Sequence, residues 1–179
     1  MTSPFFRRAL VAAALLAPAL APRYIAAQEP SGIAVGAKAP GAAVEMLDGR
    51  AVDLASFLGR KPVVMEFWAT WCPLCRKLEP QMKAMRAQYV DRVTFVSVGV
   101  PQNQTPERQL AHVTKEGMTG EFVFDRKSAA SAAYKVPHTS YVVVVDAKGT
   151  VVYTGVGADQ DLAAAIGKAF PAMGKGTSH

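Results

Sequence analysis

Cys72 and Cys75 are the only cysteines among 179 residues, and they stand in Trp71-Cys72-Pro73-Leu74-Cys75 between an apolar run and a helical pattern. Two thiols so spaced suit reversible disulfide chemistry. A thiolate in the first turn of a helix lies near unpaired backbone N–H groups and the positive end of the helix dipole, which favour its charge. Pro73 agrees with that placement, since proline fits the first helical position, where its missing N–H costs nothing. Cys72 is therefore the expected nucleophile. Cys75, one turn further in, is the expected resolving thiol and the more buried of the two. A purely structural disulfide is a poor alternative, because so short a loop constrains the unfolded chain little.

One carboxylate lies close by. Glu66 stands amid Val63, Val64, Met65, Phe67 and Trp68. Turned inward, it is desolvated, which raises its pKa and suits it to exchange a proton with Cys75 near neutral pH. Turned to a solvated sheet edge, it is an ordinary strand residue. Trp71 and Trp68 can supply an apolar rim or belong to the core, and Trp71 is the better candidate for substrate contact. Arg76 and Lys77 bring positive charge near Cys72 or form a solvated helix face.

The elements that must position these groups follow from pattern. Val63 to Trp68 is mostly apolar without alternation, as in a strand covered on both faces. The helix after the cysteines carries Leu78, Met82, Met85 and Tyr89 on one stripe, with Pro80 inside it as an expected kink. Upstream, Ala42 to Leu47 and Arg50 to Leu54 flank Asp48-Gly49 as a hairpin, followed by a helical turn at Ser56 to Leu58. Downstream, the pattern predicts a strand at Val93 to Val100, then a helix over Thr105 to Glu116, capped by Thr105 and closed by Gly117. A strand at Glu121 to Phe124 and a short helix at Ser128 to Tyr134 come next. Ser140 to Val145 and Thr150 to Val156 form a second hairpin around Asp146-Ala147-Lys148-Gly149, and a last helix spans Asp159 to Phe170, ended by Pro171. Strands alternating with helices, closed by a hairpin, make one α/β domain with a mixed sheet over residues 41–171.

The remainder reads as address and connection. Residues 1–27 combine Arg7-Arg8, an apolar stretch from Ala9 to Ala21, and small residues before Gln28. This is the pattern of an export signal cut after Ala27, with a twin-arginine variant or a retained N-terminal anchor as alternatives. Export places the cysteines in an extracytoplasmic compartment, periplasmic in a bacterium, where disulfides persist. Residues 28–40 read as a linker and 172–179 as a flexible tail. The formal charge of +6 falls to +3 without the three arginines of the first 27 residues, and no basic cluster remains, so a nucleic-acid partner is not expected.

Phe67-Trp68-Ala69-Thr70-Trp71-Cys72-Pro73-Leu74-Cys75, with Val136-Pro137-His138-Thr139 later in the chain, resembles the thioredoxin superfamily. The Thr-Trp-Cys sequence, the export pattern, the leading hairpin and the inserted helix at Thr105 to Glu116 resemble its TlpA/ResA/CcmG-like branch. The resemblance implies a thioredoxin-like fold with helices flanking the sheet, and a thiol-disulfide oxidoreductase whose only redox group is the Cys72–Cys75 pair. It also implies a cis peptide at Pro137, which offers the backbone of Val136 to a substrate chain, the alternative being an ordinary trans-proline at a strand start. His138, next in the chain, either faces the cysteines as a further substrate contact or is exposed to solvent. Glu66 matches the buried aspartate of cytoplasmic thioredoxins, a departure from the uncharged residue common in the nearer branch. The branch's usual work is reduction of exported protein disulfides, such as those of apocytochrome c or copper-site cysteines, with electrons from a membrane donor.

Alternatives differ in chemistry. The protein could run as a disulfide donor, although Pro73-Leu74 offers no polar side chain to stabilise a thiolate. A copper chaperone would use Cys72, Cys75 and His138 as soft ligands. A closed zinc site lacks ligands. A peroxidase of the peroxiredoxin type needs proline and threonine seven and three residues before its cysteine, where this chain has Met65 and Ala69.

Overall fold

The computed structural model describes residues 32–170. The expected export signal, residues 28–31, Pro171 and the tail at 172–179 lie outside them. A seven-stranded sheet in the order β2-β1-β5-β4-β3-β6-β7 organises the rest. The strands are β1 (Ala43–Met46), β2 (Ala51–Asp53), β3 (Val63–Trp68), β4 (Thr94–Gly99), β5 (Glu121–Phe124), β6 (Tyr141–Val145) and β7 (Val151–Val156). The helices are α1 (Pro73–Gln88), α2 (Pro106–Glu116), α3 (Ala129–Ala133) and α4 (Leu162–Gly167), with a 3-10 turn at Leu54–Phe57. The mixed α/β architecture, both hairpins and the inserted helix are as the sequence predicts.

β3 lies between parallel β4 and antiparallel β6, and all six of its residues are buried. That accounts for its unbroken apolar pattern, Glu66 excepted. Strands β3, β4 and β5 are parallel and adjacent, so right-handed crossovers carry α1 and α2 over the same face of the sheet. The cleft between those two helices is floored by β3. On this face Leu78 and Met82 of α1 pack with Val64, Val142 and Val144 and with Leu162 and Ile166 of α4. On the other, Met65 and Phe67 meet Tyr134 and Tyr141, whose rings lie 5.5 and 6.0 Å from that of Phe67.

Residues 32–40 correct the expectation of a linker. Gly36 N–H donates to the carbonyl of Val151 at 2.8 Å and Ala39 N–H to that of Gly149 at 2.9 Å, while Ile33 N–H reaches the Tyr141 hydroxyl at 3.0 Å. The segment therefore pairs with the start of β7, and Ile33 joins the core. Its glycines and prolines suggest a linker locally, but the partners are more than 100 residues away in sequence. The last helix is also shorter than expected. Asp161 accepts from Ala164 N–H at 2.9 Å and so caps the helix late, and i to i+3 bonds from Lys168 onward loosen its end into a turn.

Candidate active site

β3 ends at Trp68 and the chain turns through Ala69 to Trp71, closed by Cys72 N–H donating to the Ala69 carbonyl at 3.0 Å. Cys72 is the N-cap of α1 and Pro73 its first residue, as expected. The sulfur of Cys72 accepts from the backbone N–H of Cys75 at 3.1 Å and is joined to the sulfur of Cys75 as a disulfide. A helix N-terminal N–H thus points at the atom that would bear the thiolate charge. The expected ranking of burial does not hold in this oxidised state: Cys72 is 1% exposed and Cys75 5%. Both cysteines are buried, so surroundings rather than exposure separate the two.

Those surroundings differ in kind. Cys75, but not Cys72, lines a cavity of about 750 Å³ between α1 and α2. Glu66 opens onto the same cavity and is 4% exposed, so the inward alternative is the observed one. Its Oε1 has no hydrogen-bond partner. Burial, and secondarily the charge of Glu79, push its carboxyl up to about 8, against the opposing pull of Arg86. Arg86 Nη1 donates to Glu79 Oε1 at 2.7 Å and Nη2 to Ser97 Oγ at 3.1 Å. Burial likewise raises the Glu79 carboxyl above its ordinary value, with Arg86 opposing.

The turn that presents Cys72 is held from outside the motif. Gln104 Oε1 accepts from Thr70 N–H at 3.0 Å, and Gln104 Nε2 donates to the carbonyls of Val100 at 2.7 Å and Trp68 at 3.3 Å. Trp71 Nε1 donates to the Gln102 carbonyl at 2.7 Å, leaving the indole 44% exposed beside the exposed Leu74. Trp68, by contrast, is buried against the ring of His112 at 5.6 Å and belongs to the core. Gln104→Leu keeps the bulk but removes three hydrogen bonds, one to the turn at Thr70 and two to the carbonyls of Trp68 and Val100. We expect a loss of about 2–4 kcal/mol in stability and faster hydrogen exchange at the Thr70 amide. Unchanged protection there would show that the turn holds itself.

The loop 135–140 enters β6 beside the end of β3, because Ser140 N–H donates to the Phe67 carbonyl at 2.8 Å. Val136 packs against the core cluster that contains both cysteines, Pro137 is half-buried, and His138 is exposed. The expected cis peptide is corrected: the Val136–Pro137 bond is trans, as is every peptide among the described residues. Trans is the lower-energy isomer of an X-Pro bond, and the loop turns instead through positive φ at Lys135 (49°) and Ser140 (65°). Arg76 and Lys77 are exposed, and Arg76 reaches the Thr70 carbonyl at 3.4 Å.

Four residues of this site escape the motif reading: Glu79, Arg86, Gln104 and His112. Cys75, Glu79, Met82 and Arg86 follow one another at four, three and four residues, the same spacing as the apolar stripe. A charged pair on that inward line was the available signal. Gln104 sits in a polar loop segment with nothing local to mark it.

Residues 34–167 match the Redoxin family. The thioredoxin-like protein YneN of Bacillus subtilis is 31% identical over 121 residues, which cover 67% of this chain and 70% of the relative. The thiol-disulfide oxidoreductase ResA of Geobacillus thermodenitrificans is 29% identical over 137 residues, 75% of this chain and 77% of ResA. Among solved structures, a secreted disulfide oxidoreductase of Mycobacterium tuberculosis, described as homologous to E. coli DsbE, superposes with a TM-score of 0.58 at 25% identity. It covers 71% of this chain and 92% of its own.

Proposed function

This chain belongs to the Redoxin family of the thioredoxin superfamily, in its TlpA/ResA/CcmG-like branch, and from that premise we propose that it reduces disulfides in exported partner proteins. It is a thiol-disulfide oxidoreductase whose redox group is a cysteine pair. The observation that carries the finer reading is the pairing of Cys72 at the start of α1 with a buried Glu66 that shares a cavity with Cys75.

In the proposed cycle the Cys72 thiolate attacks a partner disulfide and expels one partner thiolate, leaving a mixed disulfide through Cys72. Cys75 gives its proton to the Glu66 carboxylate and attacks the Cys72 sulfur. The second partner thiolate leaves, the partner carries away both electrons, and Cys72–Cys75 is oxidised. A membrane thiol donor restores the dithiol. Trp71 and Leu74 supply exposed apolar contact for the partner, with Val136, Pro137 and His138 as the further binding segment. Apocytochrome c or copper-site cysteines fit as partner class. The export pattern of residues 1–27, with signal removal or anchoring, and the secreted relative support an extracytoplasmic location.

Direction rests on the thiolate's surroundings. Pro73 and Leu74 bring no polar side chain to Cys72, and the hydrogen bond to its sulfur among the described residues is the single backbone one from Cys75. A thiolate so little stabilised makes the dithiol a good reductant. Equilibration in defined thiol buffers, with alkylation of free cysteines, should place the pair near thioredoxin at about −270 mV or below. A potential near the about −120 mV of a strong periplasmic oxidant would reverse the direction and make the protein a disulfide donor.

A further inference from the structure

We propose that Arg86 and Glu79 are opposed positioning residues for Glu66, their ion pair governing how readily that carboxyl takes and returns the proton it exchanges with Cys75. The inference rests on the reading of Glu66 as the base for Cys75.

Strand register brings these groups together. Glu66 and Ser97 are Cα partners in the parallel β3–β4 pair, so their side chains leave the same face as neighbours. Arg86 Nη2 is anchored on Ser97 Oγ, which sets the guanidinium beside Glu66, and Nη1 holds Glu79 at 2.7 Å. Glu66 Oε1 and Arg86 Nε are both buried and both lack a hydrogen-bond partner, and both residues line the one cavity. An inward arginine, an inward carboxylate and a small serine thus converge on the strand position next to Glu66.

This pair is buried at Arg86 and half-buried at Glu79, and such a pair is weak evidence for stability, since desolvation offsets its Coulomb attraction and apolar side chains of the same volume often serve as well. Placed in this cavity, however, its two charges act on Glu66 with opposite sign. Glu79 adds to the effect of burial, and Arg86 opposes both. The other ionisable groups that face the cavity are Arg76 and Lys83 from α1 and His112 and Glu116 from α2. The flanking positions on the strands, Ser97 of β4 and Val142 of β6, carry no charge.

The test uses that opposition. Release of a partner from its mixed disulfide with Cys72 is followed in single turnovers across about pH 5 to 10, with the Glu66 carboxyl titrated by carbon-13 NMR in the same proteins. Glu79→Gln, which keeps an acceptor for Arg86, should move the midpoint of both curves down by about one pH unit. Arg86→Met should move both up by a similar amount, and Arg86→Lys should return them toward the parent. A merely structural pair would lower the plateau or shift both variants the same way. Midpoints that stay put or move together, alongside a Glu66→Gln protein that is slow, overturn the role of the ion pair alone. A Glu66→Gln protein with the parent's pH profile overturns the assignment of Glu66 as base. Should Arg86→Met not fold, Glu79→Gln decides by itself: a lowered midpoint supports the proposal and an unchanged one overturns it.

Discussion

Cys72→Ser abolishes reduction of a partner disulfide, with a fall on the order of 10⁴-fold, whereas Cys75→Ser retains the first step and accumulates the partner as a mixed disulfide. The asymmetry follows from the site. Cys72 is the residue at the helix N-terminus, where a backbone N–H already points at its sulfur. Cys75 lies one turn further in and lines the cavity with Glu66, which places it to attack the Cys72 sulfur once a partner is bound there. Non-reducing electrophoresis after mixing each variant with a disulfide-bonded protein reads both outcomes, and mass spectrometry identifies the linked cysteine. Trapping through Cys75 in the Cys72→Ser protein would reverse the assigned roles.

Glu66→Gln has two effects of opposite sign, and together they separate this site from an ordinary core. Unfolded, the carboxyl titrates near 4.5, and folded near 8. Between those values the folded protein holds the proton and the unfolded chain has released it, so stability falls as pH rises. The loss is about 1.4 kcal/mol per pH unit, reaching about 3 kcal/mol by pH 7 and levelling off above the folded value. The amide has no proton to lose. Glu66→Gln should therefore match the parent in acid and exceed it by roughly 10 °C in Tm at neutral pH. The same substitution removes the acceptor for the Cys75 proton, so partner release from the mixed disulfide should slow by about a hundredfold. A Tm difference that is the same in acid and at neutral pH would show that folding leaves the proton affinity of Glu66 unchanged, and its tuning for proton exchange near neutral pH would fall with it. A protein that carries a destabilising carboxyl in its central strand and loses turnover when it is removed is trading stability for chemistry.

Much of this was legible in the chain. A continuous apolar strand must be covered on both faces, and Trp-Cys-Pro-Leu-Cys at a helix start can place its first cysteine in few other ways. Helix α2 shows how far local signals reach. Thr105, Pro106 and Gly117 mark its ends, and the structure starts it at Pro106 and closes it on Gly117 at a φ of 60°. Where partners lie far apart in sequence the same reading fails. Residues 32–40 pair with a strand more than 100 positions away, and Gln104 acts on a turn some 34 residues upstream. Neither produces a pattern in its own neighbourhood.

Sequence alone determined the thiol pair, the helix that presents Cys72 and the strand that carries Glu66, because spacing, caps and hydrophobic period are properties of adjacent residues. Tertiary structure decided which way Glu66 faces, that Cys75 rather than Cys72 shares its cavity, and that the cation beside it comes from Arg86. A carboxyl's proton affinity depends on desolvation and on charges a few ångströms away. Those distances exist only once β3, β4 and α1 are packed together.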